Sequence, residues 1–259
     1  RLLRRFKRIV IDRADRVTAN SSVTEQAVRD LASPGARLVR IPMGVGLSVP
    51  DANAPEVQRL RARYRRGAGP MLVFVGRLVQ EKGVADLLGA IAMLRDSCPD
   101  LTALVIGEGQ DRDAFAHQAA VLGVTDRVHF MGWIQNHRVG AHVAAADVFV
   151  SPSRRASNGW VEAQGLAMLE AMAAGTPVIA TAEGGVIDAV THRETGLLVQ
   201  HRAPDQIAAA VLQLVRDPRL AGQLAVAARE RVERHFSRAS SAGAFSALFQ
   251  ELLAKRVGA

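Results

Sequence analysis

From Met71 onward the chain alternates between two kinds of pattern. MLVFVG (71–76), LTALVIG (101–107), RVHFMG (127–132), DVFVSP (147–152), PVIAT (177–181) and GLLVQ (196–200) are short runs of β-branched and apolar residues. Runs of this length and composition, without polar alternation, predict strands buried on both faces. Helical spacing of apolar positions over 83–97, 111–122, 137–146 and 165–174 separates most of them. Strands alternating with helices predict an α/β fold, a parallel sheet covered by helices on both faces. Residues 204–235 continue as helix with a break at Asp217-Pro218, and a last helix is expected from about Ser237 to Lys255.

Before Met71 the rhythm is less regular. RLLRRFKRIVIDRADRV places Leu2, Leu3, Phe6, Ile9 and Val10 on one helical face, with arginines and Lys7 on the other. DRVTAN reads as a strand. Ser22 and Glu25 have capping-box spacing and open a helix to about Ala32. ARLVRI reads as a second strand, and PMGVGLSVPDANAP, rich in Gly and Pro, as a linker. The expected organisation is therefore a first unit over 1–45, a hinge or linker over 46–70, the main α/β domain over 71–236 and a closing helical segment over 237–259.

The charge follows this division. Residues 1–70 carry 15 Lys and Arg against 6 Asp and Glu, whereas residues 71–259 carry 18 against 19. Basicity belongs to the first quarter and not to the main domain. It leaves two readings for residues 1–16: a surface helix packed on its own domain, or a basic amphipathic helix lying on an anionic membrane. With 4% aromatic residues there is little to stack bases on, so no nucleic-acid partner is expected. Cys98, the only cysteine, excludes an intrachain disulfide and fits a reducing compartment. No apolar run reaches the roughly 20 residues of a membrane span. The expected location is the cytoplasm, with membrane association through residues 1–16 left open.

In open α/β sheets ligands bind beyond the carboxyl ends of the strands, so the loops there carry the chemistry. After the first strand of the main domain comes VGRLVQEKGV (75–84), where Gly76, Arg77, Lys82 and Gly83 precede a helix. Two cations beside a helix N-terminus make an anion site; the competing reading pairs them with Glu81 or Asp86. Gly107 and Gly109 suggest a dinucleotide fingerprint, but Arg112 stands where its third glycine belongs. Asp111 and Asp113 lack the further ligands a metal needs. The seven histidines show no metal-ligand spacing and read as structural or surface residues.

GWVEAQGLAMLEAMAAGTPVIAT (159–181) holds Glu162 and Glu170 eight residues apart. Over eight residues a continuous helix rises about 12 Å and leaves the two side chains within about 80° of each other. Both carboxylates are thus expected to face one cleft and to accept hydrogen bonds from vicinal hydroxyls. Gly165 and Ala167 let backbone N–H groups approach a phosphate. Glu170 lies in an otherwise apolar run, where an unpaired charge is costly.

Taken in order, GRL-x3-KG, HFMGWI, ADVFVSPS, Glu162-x7-Glu170 running into AMAAGTPVIAT, then EGG and ETGLLV, resemble the family 4 retaining glycosyltransferases with the GT-B fold. The resemblance implies a Rossmann-like donor-binding domain over 71–236. It also implies that 1–45 is the end of the acceptor domain, and that 237–259 crosses back toward it. It implies transfer of a sugar from a nucleoside-diphosphate sugar to an acceptor hydroxyl with retention, by a hexosyltransferase. Arg77, Lys82 and Glu162 are then the catalytic candidates. Arg77 and Lys82 hold the diphosphate, Gly76 lies beside them, and Glu162 holds sugar hydroxyls. The backbone at Gly165, Leu166 and Ala167 meets sugar and phosphate, Glu170 holds the ribose diol, and the backbone at Trp133-Ile134 cradles the base. No metal and no cofactor are implied, the nucleotide sugar being a co-substrate. The sequence departs from the family's pattern at PMGVGL, with Met43 and Gly46 where Asn and Asp are frequent, and at Arg154 and Arg155, in a loop often richer in acids. Most of the acceptor domain is not in the chain, so transfer by this chain alone is an open expectation, and a non-catalytic nucleotide-sugar-binding or partner-docking module is the alternative.

Overall fold

A computed structural model describes residues 2–47 and 50–257. Arg1 of the amphipathic helix, Ser48 and Val49 of the linker, and Gly258 and Ala259 of the closing segment lie outside the described residues. The main body is a six-stranded, fully parallel sheet. Its strands are β3 (Met71–Val75), β4 (Thr102–Ile106), β5 (Val128–Gly132), β6 (Val148–Ser151), β7 (Val178–Thr181) and β8 (Leu197–Val199). They lie in the order β5-β4-β3-β6-β7-β8. The chain starts in the middle, runs out to one edge and returns to build the other half, so β3 and β6 flank the point where the winding reverses. This is the doubly wound, Rossmann-like arrangement expected.

The absence of polar alternation in the strands has a direct cause: both faces of the sheet are covered. On β3, Leu72 and Phe74 join one core with α4 (Val84–Met93), α5 (Arg112–Val121) and α9 (Pro204–Arg216). Met71 and Val73 join the other, with α6 (Asn136–Ala145), α7 (Leu166–Ala173) and α10 (Pro218–His235). Full burial of each such side chain contributes about 1.5–3 kcal/mol. Asp217, expected as a break, ends α9 and caps α10, its Oδ1 accepting from the N–H of Leu220 at 2.9 Å.

The first unit is smaller. Helix α1 (Leu2–Arg13) precedes β1 (Val17–Ala19), α2 (Ser22–Arg29) and β2 (Leu38–Arg40), and β1 and β2 pair in parallel. The helix α2 is capped one residue earlier than its sequence suggests. Ser21 is the N-cap and Thr24 completes the reciprocal pair, because Thr24 sits three residues on from Ser21 as Glu25 does from Ser22. Glu25 instead bonds Arg29 and Arg40. The helix also ends at Arg29, short of Ala32. Helix α1 lies at the surface of its own unit: none of its residues is buried, and Leu2, Leu3, Phe6 and Val10 are exposed. Polar contacts attach it, with Arg8 and Asp12 bonded to Ser33.

One connection is more structured than its sequence pattern suggests, and the expected last helix forms. Within the expected linker 46–70, α3 (Pro55–Tyr64) packs its Val57, Leu60 and Tyr64 into the core. Its Arg61 donates to the carbonyls of Ala144 and Ala145 at the end of α6, at 3.0 and 3.1 Å. The last helix, α11 (Arg238–Val257), is joined to the first unit at both ends: Val45 pairs with Ser237, and Arg16 bonds Glu251 at 2.6 Å. No helix of the described residues is long and apolar enough to cross a membrane.

Candidate donor site

At the reversal point, the loop after β3 and the loop after β6 meet. Gly83 makes the first possible. It has φ +71° and closes the one-turn helix over Gln80–Lys82 before starting α4, and a Cβ there would stand 1.8 Å from the carbonyl oxygen of Pro152. The loop is fixed from its other side by Asp111, whose carboxylate accepts from the N–H of Gln80 at 2.9 Å. This carboxylate is thereby occupied as a loop anchor.

Beyond β6 the chain crosses residues 152–165 before entering α7. A cavity of about 360 Å³ opens between the two loops and is lined by Gly76, Arg77, Lys82, Glu162, Gly165, Leu166 and Ala167 among others. Most of the residues singled out from sequence are thus brought together. Lys82 Nζ donates to Glu162 Oε2, and Ser153 Oγ donates to the same oxygen at 3.2 Å. Lys82 Nζ also lies 5.4 Å from the centre of the Trp160 ring. Arg77 is exposed at the mouth, and its guanidinium makes no ion pair with the described residues. The competing pairing of Lys82 with Glu81 or Asp86 does not occur, because Asp86 is taken by Arg154, whose Nε and Nη2 donate to its two oxygens at 2.6 and 2.5 Å. Arg154 is therefore turned inward, while Arg155 bonds Glu183 at 2.8 Å.

The expected geometry of the two glutamates needs correction. They do not lie on one continuous helix. Gly165, at φ +77°, starts α7, so Glu162 stands on the preceding loop. Its carbonyl accepts from the N–H of Gly185 at 2.8 Å. Glu170 points instead into a second hollow of about 170 Å³, lined by Gly46, Asn136, His137, Gly140 and Arg238. Burial pushes the Glu170 carboxyl up from its ordinary value, and the Arg238 guanidinium opposes that shift. Arg238 lies 68 residues further along the chain, on another helix. Trp133 is exposed and Ile134 packs against the core; neither lines either hollow.

The cavity also has a wall from the first unit. Asn20 and Met43 line it beside Gln164. Gln164 is 3% exposed, accepts from the N–H of Met43 at 3.0 Å and donates to the carbonyl of Met43 at 2.8 Å.

The site is thus a cavity beyond the carboxyl ends of a parallel sheet, with cations after the sheet's first strand and an acid before the helix that follows its fourth. The family model of glycosyl transferases group 1 matches residues 58–231, and the chain belongs to this family. It is 36% identical over 222 residues to the GDP-mannose-dependent alpha-(1-6)-phosphatidylinositol monomannoside mannosyltransferase of Mycobacterium tuberculosis, covering 85% of this chain and 58% of that one. It is 34% identical over 217 residues to the 2-deoxystreptamine glucosyltransferase of Streptomyces kanamyceticus, covering 80% and 54%. The chain thus spans a little over half the length of these relatives. Anabaena HepE, solved in complex with UDP and glucose, superposes with a TM-score of 0.86 over 96% of this chain and 66% of its own, at 22% identity. Sucrose-phosphate synthase from Thermosynechococcus elongatus gives 0.81 at 30% identity, over 97% and 62%. The GT-B resemblance read from the motifs holds.

Proposed function

We propose that this chain is the donor-binding part of a metal-independent, retaining hexosyltransferase. It takes a nucleoside-diphosphate hexose and directs the sugar to an acceptor hydroxyl. The observation that carries this reading is the convergence of Arg77, Lys82 and Glu162, from loops after two neighbouring strands, on one cavity at the start of α7. The diphosphate is held by Arg77, Lys82 and the N–H groups of Leu166 and Ala167. Glu162 accepts from sugar hydroxyls and Glu170 from the ribose. The base lies toward Trp133-Ile134, beyond the hollow that holds Glu170.

In this reading charge develops on the departing diphosphate, and two cations plus a helix terminus stabilise it. The diphosphate then helps to take the acceptor's proton on the face it leaves, which retains configuration. Both glutamates position the donor and do not act as a glycosidase acid/base pair. Residues 1–45 serve as the near edge of the acceptor side, since Asn20 and Met43 already reach the cavity wall. The relatives' names make GDP-mannose and UDP-glucose the donors to try first.

Calorimetric titration of the chain with both donors tests the reading, followed by incubation with an acceptor alcohol. Saturable binding of one donor supports it, and sugar transfer extends it to catalysis by this chain. Binding without turnover assigns the chain the role of a donor-binding module. Absence of binding to either donor, GDP or UDP would refute the reading.

A further inference from the structure

Among the described residues, the loop carrying Glu162 is hydrogen-bonded to the first unit through one side chain. Gln164 lies two residues after Glu162 and directly before Gly165, and its buried amide bonds both backbone groups of Met43. Met43 is itself held. Two residues on, Val45 donates its N–H to the carbonyl of Phe236 at 2.8 Å and accepts from the N–H of Arg238 at 3.0 Å. The segment around Met43 is therefore a fixed reference against which the Glu162 loop is set. Helix α7 needs no such help, because Met168, Leu169, Ala171 and Met172 are buried in the core. The loop is set apart from the helix by Gly165, with its wide backbone freedom, and beside the contacts of Glu162 with Gly185, Lys82 and Ser153 it is Gln164 that ties it to the first unit.

We infer that Gln164 is a positioning residue for the sugar subsite, setting through Met43 where the Glu162 carboxylate stands. This rests on the donor-binding reading above. An amide is the group required, since one end must accept from an N–H and the other donate to a carbonyl. A leucine fills similar space but leaves both Met43 groups without partners. The consequence is selective. Arg77 and Glu170, which hold diphosphate and ribose, are not attached through Gln164, so its loss falls on the sugar.

The test compares wild type, Gln164→Leu and Gln164→Glu in calorimetry with GDP, GDP-mannose, UDP and UDP-glucose. For whichever nucleotide the wild type binds, Gln164→Leu is expected to weaken the nucleotide sugar about tenfold and the free diphosphate less than about twofold. Gln164→Glu keeps an acceptor for the Met43 N–H but sets a buried carboxylate oxygen against the Met43 carbonyl, so it is expected to weaken the nucleotide sugar at least as much as Gln164→Leu. A second readout needs no ligand: amide exchange at Met43 speeds up in Gln164→Leu, while Val45 keeps its protection. Equal weakening of sugar-bearing and sugar-free ligands, unchanged affinities, or a Met43 amide as protected as before would each overturn the assignment. A wild type that binds none of the four ligands removes the donor reading and this role together. A wild type that binds normally beside an unaffected variant removes only the role.

Discussion

Replacing Lys82 by methionine keeps the length of the side chain and strands a carboxylate. Lys82 and Glu162 have side chains 19% and 11% exposed, so their pair lies between a surface and a buried ion pair. Exposed pairs contribute about 0.2–1 kcal/mol. Removing one partner of a buried pair costs about 3–5 kcal/mol, because the other charge is left uncompensated. Between these limits Lys82→Met should cost about 2 kcal/mol in urea unfolding at neutral pH, with about 0.5–1 kcal/mol more from the lost contact with the Trp160 ring. Ser153 remains as a neutral donor to Glu162 and does not offset a charge. Adding Glu162→Gln removes the stranded charge, so the double variant should be more stable than Lys82→Met, with a coupling of about 1 kcal/mol or more. Nucleotide binding should follow the same order. Lys82→Met loses a charge-assisted contact of about 1.5–3 kcal/mol and leaves Glu162 facing an incoming dianion. GDP or UDP should thus bind more weakly to it than to Arg77→Ala, and the double variant should recover part of the loss. Strict additivity of the two changes, in stability and in affinity, would refute this account of the pair.

Four further outcomes follow from the geometry. The Glu170 carboxyl, pushed up by burial, keeps its proton in the folded state at pH values where the unfolded chain has lost it, so its ionisation weakens folding as pH rises through the raised value. Glu170→Gln should therefore stabilise the chain at neutral pH, with the gain fading as pH falls toward the ordinary carboxylate range. An unchanged pH–stability curve would contradict this. Nucleotide affinity, read by calorimetry across the same range, should fall with Glu170 protonation in wild type, and Glu170→Ala should weaken GDP or UDP itself where Glu162→Ala weakens mainly the sugar-bearing forms. Gly83→Ala places a methyl group against the Pro152 carbonyl at a left-handed backbone position, so thermal unfolding should show a loss of about 2 kcal/mol or more, whereas Gly222→Ala, with open space around it on α10, should not. Finally, if α1 engages an anionic membrane through Phe6 and its exposed neighbours, Phe6→Asp should abolish sedimentation with phosphatidylserine vesicles; equal sedimentation of both forms would exclude that face.

The sheet was legible in the sequence for a physical reason. Strands covered on both faces are continuous apolar runs, and MLVFV and TALVI are short runs of that kind bounded by turn residues. The breaks were legible too, since Asp217-Pro218 both ends and starts a helix. Helix α3 was not, because its short apolar stripe of Val57, Leu60 and Tyr64 is set among five arginines and follows a Gly- and Pro-rich stretch. In the site, Arg77, Lys82 and Glu162 could be named from order and spacing. Their pairing could not: Lys82 and Glu162 are 80 residues apart, and Asp86 stood nearer in sequence. The one-helix geometry of Glu162 and Glu170 failed at Gly165, whose left-handed conformation delays the helix by a turn. Gln164 and Arg238 act through residues far away in the chain, Met43 and Glu170, and local pattern carries no signal of such contacts.

A crystal structure of the chain with GDP or UDP bound tests the central claim most directly. The account places the diphosphate between Arg77 and Lys82 at the first N–H groups of α7, with the ribose toward Glu170. A diphosphate bound elsewhere, with the Arg77–Lys82 cavity closed by the protein's own side chains, would contradict it.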